Sequence, residues 1–187
     1  MTEEMIDILD AHGVQTGVVK SKKVVHQQGL WHRTVHLWII TPDGKLLLQR
    51  CGPNMDTQPN CWDISSAGHI SAGESSLNGA ERELEELGLH ITANQLECLG
   101  TIHGKKSIHQ NGTYINCEYQ DVFLIVRDIS VKELQMQRSE VSELQLMPWP
   151  VLKQKVMTDD PDFVPHQEEY QLLFSVLAKR FLNANPR

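Results

Sequence analysis

What this sequence lacks narrows it first. Its four cysteines, Cys51, Cys61, Cys98 and Cys117, form no CxxC pair in 187 residues, too few and too scattered for a disulfide framework, so reduced thiols in cytosol are expected. Long apolar runs are missing as well. The longest strongly apolar stretches, such as VFLIV at Val122 to Val126, fall far short of the roughly 20 residues that cross a bilayer. The opening MTEEMIDILD has neither the basic nor the apolar region of a signal peptide. The expectation is a cytoplasmic protein that makes no membrane contact. Positive charge is in deficit: 17 Lys and Arg against 24 Asp and Glu leave a net charge of −7. That balance excludes general attraction to nucleic acid, while a local basic pocket could still hold phosphate. There is no fixed-period repeat and no low-complexity tract, which sets aside solenoids and disordered arrays.

The length suits one domain, residues 1–187, with generous loops and a real core. MIDILDAHGVQTGVV reads as strand, turn at Gly13 and strand, an N-terminal hairpin within residues 1–30, and TVHLWIITPDGKLLLQR repeats the scheme with PDG as the turn. Cys51 to Asn60 reads as an irregular loop, after which CWDISSAG gives a short strand closing at Gly68. Ser75 or Ser76 can cap the helix that follows. Leu77, Ala80, Leu84 and Leu87 give that helix one apolar face, and Gly88 stands where a left-handed cap belongs. LECLGTIHG and YINCEYQDVFLIVRD read as two further strands joined by a turn at Asn111 and Gly112. WPVLKQKVM and a segment at about 167–183, with Tyr170, Phe174, Leu177 and Phe181 along one side, read as core-packing helices. The class is α+β with a mixed sheet.

One segment carries chemistry. In GHISAGESSLNGAERELEELGL, Gly68 to Leu89, four glutamates, Glu81, Glu83, Glu85 and Glu86, surround Arg82 directly after a glycine-punctuated loop. Like charges at helical spacing repel, so the cluster calls for full solvation or a cation. Glu83 and Glu86, three apart, share a helix face, while Glu85 points aside. Hard cations such as Mg2+ take few protein carboxylates and let substrate phosphates complete their shell.

Gly68, five residues, Glu74, seven residues and then Arg82, Glu83 and Leu84 resemble the Nudix box of the Nudix hydrolase superfamily. The family pattern continues with a variable residue, two glutamates, a variable residue, Gly and an aliphatic; EELGL is one residue short. Counted forward from Arg82, Leu87 falls on the second of the paired glutamates. Counted back from Gly88, Glu85 and Glu86 form the pair, but Arg82 takes the place of an earlier metal-binding glutamate. A tightened last turn could bring Glu83, Glu85 and Glu86 together. The resemblance implies the Nudix fold, a mixed β-sheet between helices (α/β/α), and Mg2+ or Mn2+ held by Gly68, His69, Glu83, Glu85 and Glu86. Arg82 would orient Glu83, and catalysis would fall to Arg82, Glu83, Glu86 and Glu118.

HQQGLWHRTVHLWI and WDISSAGHISAGE resemble the branch related to isopentenyl-diphosphate isomerase. His26, His32 and His69 approximate that branch's histidine positions and Glu118 one of its glutamates, which implies a secondary metal or phosphate site. The isomerase cysteine is replaced by Ala67, and Asn116 stands where a further glutamate is expected. Arg33, Lys45 and Arg50 are candidate phosphate contacts with surface charge as the default, and Trp31, Trp38 and Trp62 are core or cleft wall. The resemblance thus implies a Nudix hydrolase that splits an organic or nucleoside diphosphate by water attack at phosphorus. Its alternatives are an isomerase of isopentenyl diphosphate and a non-catalytic diphosphate-binding module. The expected partner is a small-molecule diphosphate; oligomeric state is open, a homodimer included.

Overall fold

The structure, a computed structural model, describes residues 3–182 apart from Asp56. In chain order it contains β1 (Met5–Leu9), β2 (Gln15–Ser21), α1 (Lys22–Gln28), β3 (His32–Ile40), β4 (Lys45–Cys51), β5 (Trp62–Asp63), β6 (Ser66–His69) and α2 (Ser76–Glu86). There follow β7 (Glu97–His103), β8 (Ser107–His109), β9 (Tyr114–Asn116), β10 (Glu118–Val126), β11 (Val141–Pro148), α3 (Trp149–Met157) and α4 (Gln167–Leu182). The last expected position of the C-terminal helix, residue 183, lies outside the described residues.

The main sheet has the order β11-β4-β3-β10-β7, with β5 against β4 and β6 against β3. Strands β3 and β10 run parallel from the His32/Glu118 pair to the Ile40/Val126 pair, and the other pairings in this sheet are antiparallel, so the sheet is mixed. Both faces are covered, which is why its central strands read as nearly continuous apolar runs. Val35, Leu37, Ile39, Phe123 and Ile125 pack with Ala80, Leu84 and Leu87 of α2 on one side. Trp38, Ile40, Val122 and Leu124 pack on the other with Leu152 and Val156 of α3 and Tyr170, Phe174 and Leu177 of α4. This is the expected α/β/α layering.

Three segments differ from the sequence-based expectation. The N-terminal hairpin ends at Ser21, and α1 follows within the span read as hairpin; seven residues are too few for a helical period to show. Gly29 stops α1 in the left-handed region (φ 63°, ψ 46°), and a Cβ there would lie 2.8 Å from Ile115 Cγ2, so glycine is required twice over. CWDISSAG divides into β5 and β6. The hairpin before it splays, β3 and β4 sharing only the Ile40/Leu46 pair, and this segment fills the gap. The Ser65 hydroxyl bridges the gap at the crossing, accepting from Ile39 N at 2.8 Å and donating to the Leu47 carbonyl at 2.6 Å. YINCEYQDVFLIVRD likewise breaks at Cys117: β9 pairs with β8 in a small outlying hairpin, and only β10 enters the main sheet.

Helix α2 begins where Ser75 accepts a hydrogen bond from Asn78 N at 3.2 Å, the capping geometry that serines favour. Ala80, Leu84 and Leu87 are buried as expected, while Leu77 of the expected apolar face is exposed and Glu83 is buried beside the other three. The helix ends as expected at Gly88, φ 78°, with Leu89 N bonded to Leu84 O at 2.9 Å and Gly88 N to Glu85 O at 2.8 Å, the paired bonds of a Schellman stop.

Candidate active site and metal centre

Sheet register decides which side chains meet. His69 pairs with Thr34, Gly68 with Val35 and Ala67 with His36, and paired residues share a face. Gly68 therefore faces α2, and His69 and Ala67 face the opposite way, beside Thr34 and His36. On the far side of β3, Glu118 and Gln120 pair with His32 and Thr34. A cavity of about 1000 Å3 lies over this ground, its wall including Gly68, His69, Glu83, Glu86 and Glu118.

At the α2 side, Glu83 is pressed against β6: a Cβ on Gly68 would lie 1.9 Å from Glu83 Oε1. Any larger residue at 68 would occupy the carboxylate's place. Arg82 holds the arrangement. It donates to Glu83 Oε1 at 2.6 Å, to Glu86 Oε1 at 3.4 Å, to the His69 carbonyl at 2.8 Å and to Glu74 at 3.3 Å, and Glu74 in turn accepts from Ser71 N at 2.9 Å. The box glutamate and arginine thus tie the glycine loop to the helix. Burial, and then the charge of Glu86, push the Glu83 carboxyl up to about 7 against the opposing pull of Arg82. Its neighbours hold the Arg82 guanidinium charged.

The structure brings Glu83 and Glu86 to one face and does not bring Glu85 there. The helix keeps α geometry to Glu86, so no tightened turn gathers the three, and Glu85 is exposed away from the cavity wall. Leu87, at the position of the second paired glutamate, is 7% exposed in the α2 core.

A second cluster is made by His26, His32 and His69, whose ligand-capable nitrogens lie within 4.8 Å of one another. His32 Nδ1 is 2.9 Å from the Leu30 carbonyl, and a carbonyl only accepts, so the proton is on Nδ1 and the Nε2 lone pair is bare in the neutral ring. That Nε2 is buried without a hydrogen-bond partner and lies 3.7 Å from Glu118 Oε1. His26, anchored through Nδ1 to the Ile115 carbonyl at 3.4 Å, brings its Nε2 to 3.0 Å from His69 Nε2. Burial lowers the pKa of His69 well below the ordinary range, and burial followed by the charge of His32 lowers that of His26. Both are therefore neutral imidazoles at pH 7, the form that binds metal.

A family model, the NUDIX domain, matches residues 30–167. The chain belongs to the Nudix family. Over 186 residues it is 38% identical to Nudix hydrolase 3 of Arabidopsis thaliana, covering 96% of this chain but 24% of that protein, about a quarter of its length. Isopentenyl-diphosphate Delta-isomerase of Serratia proteamaculans is 38% identical over 95 residues, 50% of this chain and 52% of that one. Two solved structures share the fold. DR0079 from Deinococcus radiodurans has a TM-score of 0.63 at 17% identity, covering 83% of this chain and 90% of that chain. The NUDIX domain of Shewanella oneidensis NrtR, complexed with ADP ribose, has a TM-score of 0.52 at 21% identity, covering 78% and 87%.

The donor sets of this Nudix chain fit metals of different kinds. Glu83 and Glu86 are hard oxygen donors whose mutual repulsion a divalent cation would relieve. The bare Nε2 of His32, with His26, His69 and Glu118, is a nitrogen-rich set suited to a transition metal. Other sequence candidates stand elsewhere. Arg33 bonds Asp121 at 2.8 Å, Lys45 pairs with Asp43 at 2.7 Å and Arg50 bonds the Asn60 carbonyl at 3.0 Å; none lines the cavity, whose Lys and Arg side chains among the described residues are Lys22, Arg82 and Lys105. Trp38 is core, as read.

The sequence reading missed the other end of the cavity, where His36, Asp63, His166 and Glu169 line the wall. His36 Nδ1 is 2.7 Å from Glu169 Oε2, Trp38 Nε1 donates to Glu169 Oε1 at 2.7 Å, and His166 Nε2 is 2.7 Å from Asp63 Oδ1. The available signals were a histidine alternating with aliphatics in TVHLWII and a glutamate breaking the apolar stripe of α4.

Proposed function

We propose that the protein hydrolyses small-molecule diphosphate esters, organic or nucleoside, using Mg2+ or Mn2+. The observation that carries this reading is the Glu83 carboxylate, buried on the cavity wall against Gly68 and braced by Arg82 beside Glu86. Glu83 and Glu86, with the Gly68 carbonyl, would hold the cation, which when bound neutralises the diphosphate and raises the acidity of water. Arg82 fixes one oxygen of Glu83 and leaves the other to orient or take a proton from the attacking water, a task suited to a carboxyl titrating near 7. The water oxygen bonds to phosphorus, the bridging P–O bond breaks, and the leaving phosphate carries away the electron pair. Among the described residues no helix is long and apolar enough to cross a membrane.

The His26, His32, His69 and Glu118 cluster favours a second reading, isomerisation of isopentenyl diphosphate, but Ala67 supplies no proton-transfer thiol. A third outcome is binding without turnover. Incubation with ADP-ribose or isopentenyl diphosphate in 18O-labelled water, with Mg2+ and then Mn2+, separates them. Hydrolysis puts one label into a phosphate product and is abolished in Glu83→Gln; an allylic product without label overturns the reading, and so does a thermal shift with no product.

A further inference from the structure

On the sheet face opposite Glu83 the cavity wall carries two ion pairs that the proposed hydrolysis does not use, His36 with Glu169, which is buried, and His166 with Asp63, which is half-buried. His36 lies on β3 four residues beyond His32, about 13 Å at roughly 3.3 Å per residue, and faces the cavity opposite Ala67. Glu169 takes N–H donors on both oxygens, from His36 and from Trp38. Asp63 takes one from His166 and one from Ile64 N, at 2.7 and 2.8 Å. Each imidazole thus gives one nitrogen to a carboxylate, and its other nitrogen has no protein partner among the described residues. The rings meet edge to face, 5.4 Å apart. Between them and His69, Thr34 lies on the same face of β3, 4% exposed, with its hydroxyl unbonded. A tie from α4 to the sheet would need only one nitrogen of each ring. The buried pair of His36 and Glu169 costs desolvation that apolar side chains of equal volume would avoid, and its place on a cavity wall suits a ligand. Against the opposing effect of burial, the facing carboxylates raise both histidines above the ordinary value, His166 to about 9, so the second nitrogen of His166 is a donor.

We propose that His36 and His166 form a recognition subsite for oxygen atoms on the organic group of the substrate, selecting sugar or nucleoside diphosphates over diphosphates that end in hydrocarbon. A prenyl group placed here would strip water from two ring nitrogens without replacing it, whereas ribose hydroxyls, which both donate and accept, complete both bonds. This rests on the cavity being a diphosphate site. It does not need turnover.

The test is calorimetric titration of the otherwise unsubstituted protein, in the presence of Mg2+, with ADP-ribose and isopentenyl diphosphate in the form of their methylene-bridged analogues, which cannot be hydrolysed. ADP-ribose is expected to bind at least tenfold more tightly, and the preference is expected to collapse when His36→Gln and His166→Gln are added. Because those variants could unfold, the imidazole 15N–1H resonances of the unsubstituted protein are followed as well: those of His36 and His166 shift with ADP-ribose and stay in place with isopentenyl diphosphate. Equal affinities, a preference that survives both substitutions, or unmoved resonances overturn the proposal. So does a transition metal retained when His26, His32 and His69 are replaced and lost on His166→Gln, which would make this end a metal site. Absence of turnover in the unsubstituted protein, with the binding preference intact, would sink the hydrolase reading and leave this one standing.

Discussion

Glu83 is a side chain whose charge the fold tolerates only with help. Its carboxyl titrates near 7 in place of the ordinary 4.5, so the ionised form is disfavoured in the folded protein. The stability that the neutral form confers is complete below about pH 4.5 and is lost as pH rises through 7. Glu83→Gln should therefore melt higher than the parent in metal-free buffer at pH 8, by about 2–4 °C for each kcal/mol recovered, while losing hydrolysis. Calorimetry in EDTA checks this, and an unchanged or lower melting temperature would mean that Arg82 already compensates the charge. The same shift requires cation binding to release a proton at neutral pH. Mg2+ affinity should rise between pH 5.5 and 7.5 and level off above, as read by titration in buffers of different ionisation heat. Gly68→Ala places its methyl group where the Glu83 carboxylate now lies. Glu83 can swing away, so Mg2+ affinity should fall at least tenfold while melting changes little.

At the scale of the element, α2 was the most legible part of the sequence and also the part that misled in detail. Ser75 and Gly88 marked its ends correctly because capping chemistry is local. Leu77 is exposed and Glu83 buried because helical period gives a stripe but not its centre, and the centre is set by what β6 offers: Gly68 leaves room for a carboxylate. Why the cluster stops at two carboxylates is equally local. With one residue fewer, the Schellman stop falls directly after Glu86 and Leu87 turns into the core. Inserting a glutamate between Glu86 and Leu87 would extend the helix by one residue and set the new carboxylate four positions after Glu83, on its face. Mg2+ affinity is expected to rise about tenfold by titration, equivalent to roughly 1.4 kcal/mol; no gain would show that a third carboxylate cannot reach the cation from this helix end.

Across the whole molecule, what was legible followed from local chemistry and what was not depended on tertiary register. The α/β/α layering could be read from the alternation of sheet and helix patterns, and His26, His32 and His69 from their resemblance, but no local signal shows that Glu169, 133 residues after His36, meets it across the sheet. That contact and the one from His166 to Asp63 join α4 and the segment before it to β3 and β5, so they link titration to global stability. His166 loses its proton near 6.5 when unfolded and near 9 when folded, and His36 is shifted in the same direction. The stabilisation from His166 is therefore full below about pH 6.5 and is lost as pH rises through 9, and that from His36 is lost in the same direction. Asp63 and Glu169, both held below their ordinary values, add stability that is present at neutral pH and lost on acidification. The melting temperature should fall between pH 7 and 9.5, and that fall should be smaller in His166→Gln, whose side chain cannot titrate, although that variant melts lower at pH 7. Glu83 has finished titrating by pH 8, so the difference between the two curves above pH 8 isolates the histidine pairs. Curves that stay parallel from pH 8 to 9.5 would mean that His166 is neutral in the folded protein, and the donor assigned to it in the cavity would go with it.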